Sequence, residues 1–278
     1  MTEAAGARSS DAGWQVDEAG ATAYEETLVP ALLAPWAEDL VAAAGPRRGQ
    51  RVVDVACGTG IVARTAARVV GSAGAITGVD LNPAMLAVAR RVSAGTVPEI
   101  RYEVGAADAL PLPDGTADVV FCQQGLQFFP DPAAALAEFH RVGVPGGRLG
   151  VSTCRSLSHQ PGYRLLVDVL ARHLGQAAAV VVASPYALGE LDRLHALVAG
   201  AGFTRVHARI VVSTVRVPSA EALLRGETAS SPLGDVVGRL DRSAAGALVA
   251  DLGAALTPHT DDDGVVFPFE TAVVSANR

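Results

Sequence analysis

The chain has 278 residues, half of them hydrophobic, with a formal net charge of −7 and a sequence pI near 5.4. That acidity, with adjacent basic residues only at Arg47-Arg48 and Arg90-Arg91, argues against a nucleic-acid backbone as partner. Met1 to Gly13 is small and polar, so it reads as a disordered tail of a cytoplasmic protein rather than a signal peptide, and no apolar run is expected to reach membrane-spanning length.

In chain order, residues 22–28 and 31–44 have helical composition interrupted by Pro30 and Pro35, which predicts two or three short helices. Val52-Val53-Asp54-Val55 then reads as a buried parallel strand. Ala56-Cys57-Gly58-Thr59-Gly60 turns from it into an Ala-rich helix running to about Val70. Glycines at 58 and 60 let a ligand approach the main chain, and the helix start beyond them offers unpaired N–H groups. Ala75 to Asp80 is a second strand ending in an acid, followed by Asn82 as N-cap and Pro83 in the first turn of a helix.

The spacing Gly58-x-Gly60-x-x-Ala63, with Asp80 about 20 residues on, is compatible with dinucleotide binding and so with an NAD(P) oxidoreductase. Asp54 opposes that reading, because an acid beneath the turn would face a pyrophosphate of like charge. It suits a sulfonium and an ammonium instead. Asp54-Val55-Ala56-Cys57-Gly58-Thr59-Gly60 resembles the first motif of the class I S-adenosylmethionine-dependent methyltransferases, an acid followed by x-x-Gly-x-Gly. The resemblance implies that Asp80 accepts from the ribose hydroxyls and that Leu81 packs on adenine.

A third strand is predicted over residues 99–104 and a fourth over 117–122, joined through the turn Pro113-Asp114-Gly115-Thr116. In the resembled family the segment between them places a small residue and an Asp against adenine, here Ala107-Asp108-Ala109. Gln123-Gln124-Gly125-Leu126-Gln127-Phe128-Phe129-Pro130-Asp131 follows at the carboxyl end of the fourth strand, where a switch-point ligand lies. It resembles the Leu-x-x-Phe-Pro-Asp segment of quinone-type and natural-product methyltransferases and lacks the Asn/Asp-Pro-Pro-Tyr/Phe segment of enzymes acting on planar nitrogens. Its amides and rings suit an uncharged, partly apolar acceptor.

Asp131-Pro132 caps a helix to about Val142, and Arg141-Val142-x-x-Pro145-Gly146-Gly147 resembles the family's turn into a fifth strand ending near Cys154. Beyond Arg155 a helix to about Leu174, another over residues 184–200, a strand over 206–217, helices over 219–256 and a last strand over 265–275 are expected. Cys57, Cys122 and Cys154 fall at strand ends without the close-spaced pairs of a zinc site, so they read as buried fillers, and no metal is expected. Among the histidines, His159 is the one predicted at a strand exit facing the pocket. It is the candidate general base, with His173, Tyr163 and Tyr24 behind it.

The expected fold is α/β: a Rossmann-like three-layer sandwich with a seven-stranded, mostly parallel sheet, an antiparallel last strand and a helical lid. The expected divisions are a tail over 1–13, a helical lid over 14–50, a cofactor-binding core over 51–154, a helical substrate region over 155–202, and C-terminal strands and helices over 203–278. The resemblance implies S-adenosylmethionine held by Asp54, Ala56, Cys57, Gly58, Thr59, Gly60, Asp80, Leu81, Met85, Ala107, Asp108, Ala109 and Gln123. It also implies a small-molecule acceptor met by Trp14, Tyr24, Gln124, Gln127, Phe128 and Tyr163, in a monomer or homodimer. Methyl transfer is the expected reaction; a non-transfer reaction such as cyclisation on the same fold is the alternative beside the oxidoreductase.

Overall fold

The computed structural model describes residues 16–231 and 233–278; Trp14 and the tail expected over residues 1–13 lie outside them. Within the described residues, β1 (Arg51–Val55), β2 (Ala75–Asp80), β3 (Ile100–Val104), β4 (Ala117–Gln123), β5 (Gly143–Cys154), β6 (Thr204–Val217) and β8 (Gly264–Asn277) build one sheet. Their order is β3-β2-β1-β4-β5-β8-β6, with the two-residue β7 (Thr260–Asp261) pairing off β8. After its first residue β1 is buried throughout, as a central strand covered on both faces must be, and it pairs in parallel with β2 and β4. The strand order reverses between β1 and β4, which opens a crevice at their carboxyl ends.

Helices cover both faces because each presents an apolar stripe at helical spacing. On one face α2 (Ala34–Ala44), α3 (Ile61–Val70) and α4 (Pro83–Val92) bury Leu40, Val62, Ala66 and Leu86 against Val52, Ile76 and Phe121. On the other, α5 (Pro132–Val142) and α8 (Leu191–Gly200) bury Leu136, Phe139, Leu194 and Val198 against Val53, Val120 and Val151. The antiparallel end is formed by β8, paired with β5 from Arg148↔Asn277 to Cys154↔Thr271 and with β6 from Val217↔Val265 to Thr204↔Asn277.

Above the carboxyl edge lies a roof with its own core. It gathers α1 (Glu18–Leu28), α6 (Pro161–Leu174), α7 (Gln176–Ala183), α9 (Ala220–Ser230), α10 (Leu233–Val237) and α11 (Arg242–Leu256). Leu166, Val169, Leu170, Leu248, Leu252 and Phe267 fill its interior.

Three expectations are corrected. Residues 18–44 are not separate short helices: α1 runs into α2 through a π-helical turn, Val29–Leu33, in which Val29 N–H bonds Tyr24 O and Ala34 N–H bonds Val29 O. Pro30 lacks an N–H and would crowd the carbonyl four residues back, and the wider turn relieves both problems without breaking the helix. The continuous run Glu18–Ala44 is 27 residues long and apolar enough by composition to cross a membrane, contrary to the expectation that no run reaches that length. Its apolar side is occupied by protein, since Trp36, Ala37, Leu40, Val41 and Ala44 are buried. The helix expected over 184–200 is also split: Pro185 lies in a short 3₁₀ turn, α8 starts only at Leu191, and α7 precedes them.

Candidate active site

The site begins with the turn after β1. Asp54 ends up 1% exposed, and its Oδ2 accepts the Ala63 N–H at 3.0 Å, pinning the first turn of α3, while Oδ1 has no partner. Burial pushes this carboxyl up to about 8, with the Ala63 hydrogen bond and Arg64 opposing and Asp80 adding to the shift. The turn needs left-handed backbone at Ala56 (φ 53°), Gly58 (φ 53°) and Gly60 (φ 85°). A Cβ on Gly60 would also run into the Tyr102 hydroxyl, so a side chain there requires Tyr102 to move.

Asp80, at the end of β2, holds the turn from the other side. Its Oδ2 accepts from Gly58 N and its Oδ1 from Asn82 N, both at 2.8 Å. Burial raises its pKa and the backbone hydrogen bonds oppose that rise. Asn82 in turn caps α4 through Ala84 N–H, at 2.8 Å.

A cavity of about 450 Å³ opens beside this turn, within the size range of small-molecule sites. Its near end is walled by Asp80, Leu81, Met85, Ala107 and the exposed Asp108. In the middle it passes Ala56, Gly58, Gln123 and Tyr24. A nook of about 20 Å³ adjoins it there, bordered by Asp54, Cys57, Tyr24 and Gln123. Tyr24 thus lies at the glycine turn rather than at the far end.

Three amides line the passage. Gln123 Nε2 donates to Leu33 O at 2.8 Å and leaves Oε1 without a partner. Gln124 holds a left-handed backbone (φ 53°) at the exit of β4, where its Oε1 accepts from Gln127 Nε2 at 3.0 Å and from Cys154 Sγ at 3.1 Å. Its Nε2 and the Gln127 Oε1 are buried and unpartnered. Unpaired buried polar atoms are costly, and their convergence on one passage marks where a ligand supplies the missing partners.

The far end is aromatic. Trp36 stacks on Phe269 with centroids 4.9 Å apart, and Tyr163 meets Phe269 at 5.5 Å and Tyr186 at 5.6 Å. Phe128, Val182 and Glu227 complete it.

Several expected residues stand elsewhere. Thr59, Gly60 and Ala109 shape the loops but do not line the cavity. His159 does not face it either, which corrects the expectation for the strand exit. The 3₁₀ turn Leu157–His159 carries the ring to Arg155, whose Nη2 donates to His159 Nε2 at 2.7 Å, and Nδ1 lies 3.7 Å from Glu270 Oε2. His173 is likewise engaged outside the cavity, with Asp251 at 2.8 Å.

The lining decides which ligand charge the cavity can hold. Among the described residues it carries four carboxylates, on Asp80, Asp108, Asp131 and Glu227, and no lysine, arginine or histidine. That fits a cationic ligand and opposes a pyrophosphate, so the residues present suit S-adenosylmethionine better than NAD(P).

A methyltransferase-domain family model matches residues 53–151. The chain is 32% identical over 185 residues to a ubiquinone/menaquinone biosynthesis C-methyltransferase UbiE from Cronobacter sakazakii, a match covering 62% of this chain and 73% of that protein. The chain belongs to the class I S-adenosylmethionine-dependent methyltransferase family. Against two further relatives of the same name, the methyltransferase spans only about half of their length, at 51% and 46%.

Solved structures show the same fold at low identity. The methyltransferase superposes on Haemonchus contortus phosphoethanolamine N-methyltransferase 2, bound to phosphomonomethylethanolamine and S-adenosylhomocysteine, with a TM-score of 0.58, 21% identity and coverage of 94% of this chain and 57% of that one. It superposes on the [4+2]-cyclase SpnF with a TM-score of 0.54, 20% identity and coverage of 88% and 80%.

Glu227, Trp36, Tyr186 and Phe269 were not singled out by the sequence motifs. A signal existed for Glu227. It follows Leu223 and Leu224 at i+4 and i+3, so it is an acid on the apolar stripe of α9.

Proposed function

We propose that this methyltransferase transfers the methyl group of S-adenosylmethionine to a small, flat, largely apolar acceptor. The observation that carries the reading is a single cavity with an acid-walled end and an aromatic end, joined through Gln123, Gln124 and Gln127. Bound there, the cofactor supplies an already activated methyl group. Asp80 would hold the ribose, Leu81 and Met85 the adenine face, Asp108 the adenine edge, and Gln123 Oε1 with the main chain of the glycine turn the methionine moiety. Asp54 acts from beneath, fixing the turn through the start of α3.

The chain itself positions and desolvates. Tyr24 and the π-helical turn cover the passage, and Trp36, Tyr163, Tyr186 and Phe269 offer ring surfaces that seat a planar acceptor and exclude water. The names of the curated relatives support a quinone-type ring as one acceptor class. The amide-lined passage also supports a natural-product phenol, alcohol, amine or polyketide.

Thermal unfolding with S-adenosylhomocysteine, NAD and NADP tests the cofactor: a rise in midpoint with the first alone is expected. Incubation with S-adenosylmethionine and an acceptor panel tests transfer through release of S-adenosylhomocysteine. Stabilisation by NAD(P) without response to S-adenosylhomocysteine would overturn the reading. A panel product formed without that release would favour a non-transfer reaction of the kind that the name SpnF describes for that protein.

A further inference from the structure

The far end of the cavity holds one ionisable acid with no task in the reaction as described above. Glu227 lies on the inward stripe of α9 beside buried Leu223 and Leu224, and its Oε1 accepts from Tyr163 Oη at 3.0 Å. Both residues border the cavity. Cys154 from β5 and Tyr186 from the turn after α7, whose ring lies 5.6 Å from that of Tyr163, line the same cavity. Burial pushes these two and Tyr163 upward, so all three stay neutral. No cationic side chain lines the cavity among the described residues, and burial pushes the Glu227 carboxyl up to about 7 against the opposing Tyr163 hydrogen bond. A buried acid without a counter-charge, in a cleft, is a candidate for proton transfer.

A second observation narrows the ligand. Cys154, which lines the cavity as Glu227 does, donates through Sγ to Gln124 Oε1 at 3.1 Å, which links this end to the amide passage. Gln124 Nε2 remains a buried donor without an acceptor. Glu227, without a cation beside it, and Gln124, with a buried N–H without an acceptor, therefore line the same cavity. A hydroxylated ligand answers both, giving a proton to one and a lone pair to the other. An ammonium answers only the carboxylate, since it has no lone pair for Gln124.

We propose that Glu227, oriented by Tyr163, accepts the proton of a phenolic or enolic hydroxyl on the acceptor and so selects hydroxylated planar acceptors. This rests on the methyl-transfer reading. As the hydroxyl proton passes to a Glu227 oxygen, a lone pair of the acceptor oxygen forms the new O–CH₃ bond. The pair of the breaking C–S bond stays on sulfur and cancels the sulfonium charge. The proton then leaves Glu227 for solvent, so that hydroxyl acceptor and S-adenosylmethionine give methyl ether, S-adenosylhomocysteine and one proton. Glu227 is the catalytic residue and Tyr163 its positioning residue.

The test uses the full chain saturated with S-adenosylhomocysteine and titrated with 4-methylphenol and 1-naphthol, both neutral at about pH 7, with benzylamine as the amine control. Binding of the phenols is expected to strengthen as pH rises through about 7. In Glu227→Gln that dependence should vanish and the affinity fall at least ~10-fold. With S-adenosylmethionine, Glu227→Gln should lower kcat on the phenols by ~10²- to 10⁴-fold and remove the acid limb of the pH profile, and Glu227→Asp should restore part of both. Tyr163→Phe should move the acid limb to higher pH, which a merely structural tyrosine would not do.

An equal midpoint rise with S-adenosylhomocysteine in the parent protein and Glu227→Gln establishes that fold and cofactor site are intact. Absence of that rise in the parent protein sinks the methyl-transfer reading itself. With the rise present, failure to bind either phenol, methylation of benzylamine in preference to them, or an unchanged rate and acid limb in Glu227→Gln overturns the assignment of Glu227.

Discussion

Asp54 and Ala63 are joined across the glycine turn by one hydrogen bond of 3.0 Å, and the second oxygen of the same carboxyl is buried without a partner. One side chain therefore ties the end of β1 to the start of α3 while leaving a buried oxygen without a hydrogen-bond partner. Its pKa follows from that geometry: burial pushes it up to about 8, whereas an unfolded aspartate titrates near about 3.9.

The first prediction is the sign of the pH dependence of stability without cofactor. Between about pH 4 and 8 the folded chain keeps a proton on Asp54 that the unfolded chain has released, so this group makes stability fall as pH rises across that window and level off above it. Glu227 acts in the same direction over a window that closes near 7. Unfolding midpoints measured from pH 5 to 8.5 should decline in the parent protein and decline less steeply in Asp54→Asn. A parent midpoint that climbs with pH, unaltered by the substitution, would contradict the burial account.

Asp80 supports a second prediction. It fixes the turn and the start of α4 through Gly58 N and Asn82 N, each at 2.8 Å, so replacing either oxygen leaves one N–H unpaired. Hydrogen bonds to charged groups contribute about 1.5–3 kcal/mol each, so Asp80→Asn should weaken S-adenosylhomocysteine binding by ~10- to 100-fold. Titration calorimetry would measure it, and affinity within a factor of two of the parent would remove Asp80 from the ribose role.

Residues 54–60 and 80 were legible in the chain because turn chemistry is local: an acid, two glycines and an N-cap fix their geometry within a few neighbours. The strands were legible for a similar reason, since β1, β2, β4 and β5 are short apolar runs ending in turn residues. Much of the aromatic end was not, because Trp36, Tyr186, Glu227 and Phe269 come from α2, a 3₁₀ turn, α9 and β8 and meet only when the roof closes. His159 shows the converse. Its position after β5 pointed to the cavity, but Arg155, four residues earlier and 7% exposed, takes the ring as its partner instead.

Gly60 and Gly95 give a matched pair. Their φ angles are 85° and 82°, but a Cβ on Gly60 would collide with Tyr102 whereas nothing lies within 4 Å of one on Gly95. Gly95→Ala should cost about 1–2 kcal/mol, the strain of left-handed backbone alone. Gly60→Ala should cost roughly 2 kcal/mol more, because Tyr102 must leave Ser93, its hydrogen-bond partner at 2.7 Å. Denaturant unfolding of both variants separates the two contributions, and equal costs would mean that Tyr102 moves aside freely.

The last prediction separates two residues that follow the carboxyl end of β5. Arg155 is buried, donates to Gly189 O at 3.1 Å and approaches Glu270 Oε2 at 3.5 Å, while Gln160 Nε2 donates to the Glu270 carbonyl at 2.6 Å. This network fastens β8 and the start of α6 to β5, so Arg155→Ala should destabilise by about 3 kcal/mol or more, the cost of leaving a half-buried Glu270 without its cation. His159, whose side chain is 40% exposed, contributes one accepted hydrogen bond to the same network. His159→Ala should therefore lower stability by less than about 1 kcal/mol and leave turnover of any acceptor unchanged. A fall of tenfold or more in kcat with an unaltered unfolding midpoint would return the general-base role to His159 and take it from Glu227.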